Sequence, residues 1–184
     1  MKRCDWKNLN SNPIYIEYHD NEWGIPSYDD NYLFEMILLE SFHCGLSWLI
    51  ILQKREHFRT AFDNFDAKKI AKYDDIKVSE LLTNSNIVRS EAKIRANIQN
   101  AKSFLNIQHE YGSFCKYIWS FTENKVIFRK NDELYSKNEL SDLVSKDLKR
   151  RGFKFMGSVT TLSYLEAIGV LNNHTSQCFK HIDA

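Results

Sequence analysis

The sequence of 184 residues is poor in the residues that most often interrupt regular structure, since it has two prolines and six glycines. Helices joined by short turns therefore suit it better than many tightly turning strands. A long apolar run is also lacking: the longest, around Leu46–Leu52, is far too short to cross a bilayer. No internal repeat or low-complexity tract occurs. These features predict one domain over residues 1–184, without a membrane partner.

An excess of either sign of charge is lacking too, because the formal net charge is +1. Overall charge therefore gives no argument for nucleic-acid binding, and any basic surface must be local. The start, Met1–Trp6, turns polar at once without an apolar leader segment, so we expect no signal peptide and a cytoplasmic location. In that reducing compartment disulfides are disfavoured, and packing as free thiols is the simplest interpretation of the cysteines.

Apolar positions at helical spacing predict an all-α fold. One helix is capped by Asp29 or Asp30, carries Leu33 and Met36, and ends at Gly45. Further helices are predicted from Ser47 towards Phe58 and over Asp66–Lys72, Val78–Leu82, Ser90–His109 and Ser113–Phe121. The segment Glu123–Lys137 breaks the pattern and is predicted as an exposed loop, with a short strand at Val126–Phe128.

The last two helices have the clearest signals. Ser136 and Glu139 have the spacing of a capping box, Gly152 ends the first helix, and the second begins near Ser158. The turn Gly152–Gly157 allows close backbone approach, and the first amides of the second helix form an anion site. Basic side chains cluster beside it, at Lys146, Lys149, Arg150, Arg151 and Lys154. They indicate a grip on phosphates, although cations also favour a solvated helix C-terminus.

Near the N-terminus, aromatic and acidic residues crowd the stretch IYIEYHDNEWG, Ile14–Gly24. His19 within it has three interpretations: a metal ligand, a catalytic base or a core residue. His174 and Cys178 are four residues apart, which places them on one face of a predicted helix. A histidine and a cysteine at this spacing can bind a metal ion, but ordinary packing of these residues stays open at this point.

Three blocks, YHDNEWG, LLESFHCGLSW and RGFKFMG, occur in order along the chain. With them the sequence resembles the 3-methyladenine DNA glycosylase I family of helix–hairpin–helix glycosylases, from Cys4 to Cys178. The resemblance implies an enzyme that hydrolyses the N-glycosidic bond of 3-methyladenine, with 3-methylguanine as a second candidate base, in double-stranded alkylated DNA. It implies a monomer with the helix–hairpin–helix at about 139–170 and zinc-binding termini at 1–24 and 171–184.

The resemblance also assigns residues. It implies that Glu40 recognises the flipped base and is the catalytic residue, and that the base-binding walls are Tyr15, Tyr18, Trp23 and Trp48. It implies DNA-backbone contacts from Lys149, Arg151, Gly152, Lys154, Gly157 and Ser158. It implies one structural zinc ion bound by Cys4, His19, His174 and Cys178. Asp20 is a candidate for orienting His19.

Some features depart from the wider superfamily or from the family pattern. The segment VLNNHT, Val170–Thr175, has neither the catalytic aspartate nor a nucleophilic lysine of many relatives, so we expect a monofunctional enzyme without strand cleavage. Phe42 and Cys44 stand where glutamine and alanine are typical, in the segment expected to form the pocket. Two alternatives remain: a non-catalytic binder of alkylated or distorted DNA, and a zinc-stabilised interaction module.

Overall fold

The computed structural model describes residues 1–129, 132–133 and 135–182 and is mostly helical. After a 3₁₀ turn at Leu9–Ser11, the helices are α1 (Pro13–Asn21), α2 (Asp30–His43), α3 (Trp48–Ala61), α4 (Ala67–Ile70), α5 (Asp75–Thr83), α6 (Glu91–Tyr111), α7 (Phe114–Ser120), α8 (Glu139–Arg150) and α9 (Ser158–Ala167). A second 3₁₀ turn, Asp63–Phe65, follows α3. The prediction of a helical chain is confirmed, with bounds that differ by a few residues.

Two short strands qualify the all-α prediction. Strand β1 (Ile127–Phe128) pairs in parallel with β2 (Leu171–Asn172). The strand predicted at Val126–Phe128 is thus present, whereas its partner lies in a segment with no strand signal. Part of the predicted loop, at 130–131 and 134, lies outside the described residues. Among the helices described, none is long and apolar enough to cross a membrane.

Helix α2 lies at the centre of the fold, and every residue from Leu33 to Phe42 is buried. Asp29 caps it, because its carboxylate accepts from the amides of Asn31 and Tyr32 at 3.2 and 3.3 Å. Helix α9 packs on α2, where the Tyr164 hydroxyl donates to the carbonyl of Leu33 at 3.3 Å. The core is therefore built around a helix with no solvent face along most of its length.

The start of α8 differs from the predicted capping box. Asn138 is the N-cap: its side chain accepts from the Ser141 amide at 2.8 Å, and the Ser141 hydroxyl accepts from the Asn138 amide at 2.9 Å. Ser136 and Glu139 do not form the box. Asparagine is at least as good an N-cap as serine, and here the helix begins at Glu139, so the pairing moves two residues along the chain.

The turn between α8 and α9 is held by polar side chains of α6. The Asn100 side chain accepts from the Lys154 amide at 2.7 Å, and the Ser103 hydroxyl donates to the carbonyl of Arg151 at 2.8 Å. Gly152 has φ +96°, and a Cβ there would lie 3.0 Å from the Ser103 hydroxyl. Buried polar residues of α6 thus satisfy the backbone of an exposed turn and fix its shape.

Candidate functional site

A cavity of about 180 Å³ opens between α1, the end of α2, the start of α3 and α9. Aromatic rings form most of its wall, and two carboxyl groups reach it from different helices. The residues that line it are Trp6, Tyr15, Tyr18, Trp23, Glu40, His43, Trp48, Ser163 and Glu166. The structure therefore brings together all five residues assigned to base binding, and adds Trp6, His43, Ser163 and Glu166.

The aromatic stretch near the N-terminus reaches the cavity because most of it is helical. Tyr15 and Tyr18 are three residues apart on α1 and share one face. The Tyr18 ring lies 5.4 Å from that of Trp48, and the Trp23 ring lies 4.5 Å from that of Trp6 in an edge-to-face contact. All four rings line the cavity, and aromatic rings offer faces and edges on which a flat aromatic ligand can pack.

Glu40 is the most enclosed polar group of the cavity, with 2% of its surface exposed. Burial raises the pKa of its carboxyl, and the hydrogen bond with His43 opposes that rise. The atoms joined are His43 Nδ1 and Glu40 Oε2, 3.1 Å apart. Helical periodicity alone suggests an exposed position for Glu40, which is wrong because α3 and α9 both pack against α2. A buried carboxyl group in an aromatic cavity can bind a cation or an N–H donor.

Trp48 has a polar atom without a partner. Among the described residues, its indole Nε1 is buried and has no hydrogen bond. Leaving such a donor unpaired costs about 1–3 kcal/mol. The ring also meets His43 edge to face, with centroids 5.2 Å apart. A bound ligand or water with an acceptor atom would satisfy this donor.

Beside the cavity, two cysteines and two histidines converge from the two ends of the chain. The ligand atoms of Cys4, His19, His174 and Cys178 all lie within 4.8 Å of one another, and all four residues are buried. Cys178 Sγ lies 3.4 Å from His174 Nδ1 and 3.6 Å from His19 Nε2, and Cys4 Sγ lies 3.6 Å from His174 Nδ1. This cluster could hold a metal ion.

The outer nitrogens of both imidazoles have partners. His19 Nδ1 lies 2.7 Å from Asp20 Oδ1, and Asp20 also accepts from the Arg3 guanidinium at 2.6 Å. His174 Nε2 lies 3.2 Å from the carbonyl oxygen of Trp23. Each contact leaves the other ring nitrogen facing the cluster, as metal-binding histidines require. Burial lowers the pKa of His174 to about 4, so its imidazole is neutral at physiological pH.

The local structure of the C-terminal pair differs from the prediction. His174 and Cys178 lie in irregular turns after β2 and not on a helix. The Cys178 amide donates to the carbonyl of Thr175 at 2.8 Å, which folds the segment back on itself. A tight turn brings residues four apart together as a helical turn does, so the two side chains still converge.

Lys149, in the last turn of α8, and Lys154, in the turn that follows, are both exposed. Arg151 is different, because its guanidinium donates to Asp147 at 2.7 Å and to Glu110 at 2.6 Å. The protein itself therefore neutralises much of the charge of Arg151. Gly157 caps α9, whose first residue is Ser158, and the first amides of a helix have no partners within that helix.

A sequence model of the family described as methyladenine glycosylase matches residues 6–181. The chain belongs to this family. A DNA-3-methyladenine glycosylase of Haemophilus influenzae (strain ATCC 51907 / DSM 11121 / KW20 / Rd) is 41% identical over 179 residues, which are 96% of each chain. A crystal structure of 3-methyladenine DNA glycosylase I has a TM-score of 0.93 at 41% identity, covering 98% of this chain and 100% of that one. A point variant of such an enzyme in complex with 3-methyladenine has a TM-score of 0.91 at 36% identity, covering 96% and 99%.

Within this methyladenine glycosylase, the two unusual residues of the pocket segment do not line the pocket. Phe42 is fully buried, with its ring 4.7 Å from that of Phe58. Cys44 Sγ lies 3.2 Å from Thr160 Oγ1, where it joins the end of α2 to α9. Phe42 fills the core and Cys44 contacts α9, whereas Glu40, His43 and Trp48 of the same segment line the cavity.

Proposed function

We infer that this methyladenine glycosylase removes 3-methyladenine from alkylated DNA in base-excision repair, by hydrolysis of the N-glycosidic bond. The observation that carries this function is a cavity lined by aromatic rings and by the buried carboxyl of Glu40, with the indole of Trp48, whose N–H is unpaired, in its wall. A base within duplex DNA must leave the stack to enter such a cavity. The cavity provides stacking faces and polar contacts for it.

The substrate base is a cation, and both kinds of group in the cavity attract cations. The faces of Trp and Tyr rings carry negative potential, and a carboxylate forms strong hydrogen bonds with charged N–H donors. Glu40 is accordingly proposed to accept from the base, with Tyr15, Tyr18, Trp23 and Trp48 around it. Burial raises the pKa of Glu40, and a bound cation would favour its ionised form. Neutral adenine gains less from such a site.

We propose a helix–hairpin–helix at about 139–170, in which the turn Gly152–Gly157 binds the phosphates of double-stranded DNA. Support comes from the exposed ammonium groups of Lys149 and Lys154 and from the amides at Gly157 and Ser158. Arg151 is proposed to support this contact mainly through structure, because its guanidinium already pairs with Asp147 and Glu110. This grip is independent of base sequence.

The metal at the Cys/His cluster is proposed to be zinc. Tetrahedral zinc with Zn–S near 2.3 Å and Zn–N near 2.05 Å places sulfur and nitrogen about 3.6 Å apart. The three S–N separations above are 3.4, 3.6 and 3.6 Å, in agreement with that geometry. Four protein ligands leave no open coordination position, so the ion would be structural and would join residues 1–24 to 171–184.

We further propose that the enzyme leaves an intact abasic site, because none of the described residues that line the cavity is a lysine. A single folding unit, a monomeric state and a cytoplasmic location also stay predictions. A bound 3-methyladenine cation leaves as a neutral base, so departure needs little acid catalysis. Binding and extrusion of the base are then expected to supply much of the rate.

The test is release of bases from methylated duplex DNA, followed by chromatography. Wild-type protein should release 3-methyladenine, and strands should break only after alkali treatment. Glu40→Gln and Glu40→Ala should slow release by about 100-fold, as expected for loss of a charged contact worth 1.5–3 kcal/mol. Wild-type rates in both variants would remove Glu40 from the site. Binding of methylated DNA without base release would favour the non-catalytic binder.

A further inference from the structure

Glu166 is the second carboxyl group of the cavity, and the proposed contacts of the base leave it unused. It lies in the last turn of α9 and lines the cavity together with Ser163, three residues earlier on the same helix face. It also lines a neighbouring cavity of about 390 Å³. Glu166 thus lines both of these cavities, whereas Glu40 lines the first but not the second.

Three features make this position unfavourable for a carboxylate. It is largely buried, it stands at the negative end of a helix dipole, and it shares a cavity with Glu40. Asn173 orients the group, because its side-chain Nδ2 donates to Glu166 Oε1 at 2.5 Å. Among the described residues, Asn173 is the one that donates a hydrogen bond to the Glu166 side chain. The second oxygen has no hydrogen-bond donor among these residues. The Arg129 guanidinium partly offsets the cost of the position, and a positive charge in the cavity would offset it further.

The distance along α9 between the proposed phosphate grip and Glu166 is comparable to one nucleotide unit. The proposed phosphate grip lies at Ser158, the first residue of α9. A rise of 1.5 Å per residue puts Ser163 about 7.5 Å further along the axis. Side chains of a helix lean towards its N-terminus, so the carboxyl of Glu166 leans back towards the level of Ser163. That offset is similar to the length of one sugar–phosphate unit.

We propose that Glu166 is a second catalytic residue, which stabilises positive charge on the deoxyribose and accepts the proton of the attacking water. This inference rests on the proposed function. The C1′–N9 bond breaks with its electron pair moving to the cationic base, which leaves neutral, and the sugar becomes oxocarbenium-like. Water then forms the C1′–O bond and gives its proton to the Glu166 carboxylate. Burial raises the pKa of Glu166 to about 7, near the value that suits a general base at neutral pH.

The test compares Glu166→Gln, which keeps the shape and the acceptor for Asn173, with Glu17→Gln on the exposed face of α1 as matched control. Single-turnover release of 3-methyladenine from methylated duplex DNA should fall by about 100-fold in Glu166→Gln, at the lower end for general-base catalysis. The dissociation constant of free 3-methyladenine, followed by tryptophan fluorescence, should change less than about threefold. Glu17→Gln should match the wild type in both measurements.

A second variant separates chemistry from structure. Glu166→Ala should be slow as well, and added formate should restore part of its rate, because formate can occupy the position of the lost carboxylate. Release within threefold of wild type in Glu166→Gln would overturn the proposal. So would a loss of release matched by an equal loss of affinity for the free base. If wild-type protein releases no 3-methyladenine, the proposed function fails instead, which keeps the two failures distinct.

Discussion

Replacing Cys178 with serine should destabilise the whole chain, because this residue connects the other members of the metal cluster. Its Sγ lies within 3.6 Å of the ligand nitrogens of both His174 and His19. Serine provides a harder and weaker ligand than a thiolate for zinc. The expected loss of metal releases the C-terminal segment from the N-terminal one, which carries Cys4.

The size of the effect follows from linkage between metal binding and folding. A metal present at 1,000 times its dissociation constant stabilises the folded state by about 4 kcal/mol. For a chain of this length, 1 kcal/mol corresponds to about 2–4 °C in Tm, so the loss should lower Tm by about 8–16 °C. Asp20→Asn should give a smaller loss, because a partner of a ligating histidine typically changes metal affinity 10- to 100-fold.

The assay is thermal unfolding with and without a chelator, together with the metal content of the purified protein. Wild-type protein should contain about one zinc per chain, and the chelator should lower its Tm towards that of Cys178→Ser. Cys115→Ser, a half-buried cysteine on α7 outside the cluster, is the matched control and should keep both metal and chelator response. An equal chelator response in wild type and Cys178→Ser, or a stable wild type without metal, would refute the reasoning.

Three further predictions concern the cavity and the turn. Trp48→Phe removes the unpaired N–H, so the free energy of unfolding should hold or rise by about 1 kcal/mol. The affinity for free 3-methyladenine, measured by calorimetry, should fall about fivefold, and an unchanged affinity would show that this N–H does not contact the base. Changing Lys149 and Lys154 to alanine should lower the slope of log K against log salt by about 1.8, whereas Lys68→Ala should leave it unchanged; an unaltered slope in the double variant would remove the turn from the interface. The pKa of Glu166 in the folded protein, about 7, exceeds its usual 4.5, so its contribution to stability is present below pH 4.5 and is lost as pH rises through 7. The free energy of unfolding of Glu166→Gln, measured by chemical denaturation, should fall less than that of the wild type over this pH range.

The helices could be predicted because their signals are local. The Asp29 cap and the apolar run after it fix α2, and Gly112 with φ +83° follows α6. The pairing of Ile127 with Leu171 could not be predicted, because a two-residue parallel strand depends on neighbours distant in sequence. The sequence does not predict helix α1, since aromatic and acidic residues obscure its periodicity. The sequence predicts Ser136 as the N-cap of α8, which is wrong because Asn138, two residues later, caps the helix.

The cavity shows a similar division. The family resemblance groups Glu40, Trp48 and the tyrosines in one pocket, but it gives no role to Trp6 or Glu166. Trp6 could have been suspected from its position two residues after Cys4. Glu166 has no local signal at all, because its burial depends on how α9 packs beside β2. The convergence of side chains from separate elements can be seen only in the tertiary structure.

The metal cluster and the cavity share parts of the chain, which links stability to activity. Trp6 follows Cys4 by two residues, and its ring lies 5.0 Å from that of His19. The Trp23 carbonyl accepts from the outer nitrogen of His174. Loss of metal would therefore release the wall formed by Trp6 and Trp23, while α2 with Glu40 keeps its place in the core. Because segments with few core contacts open at lower free energy than the core, base affinity should fall at chelator concentrations that leave helical content unchanged.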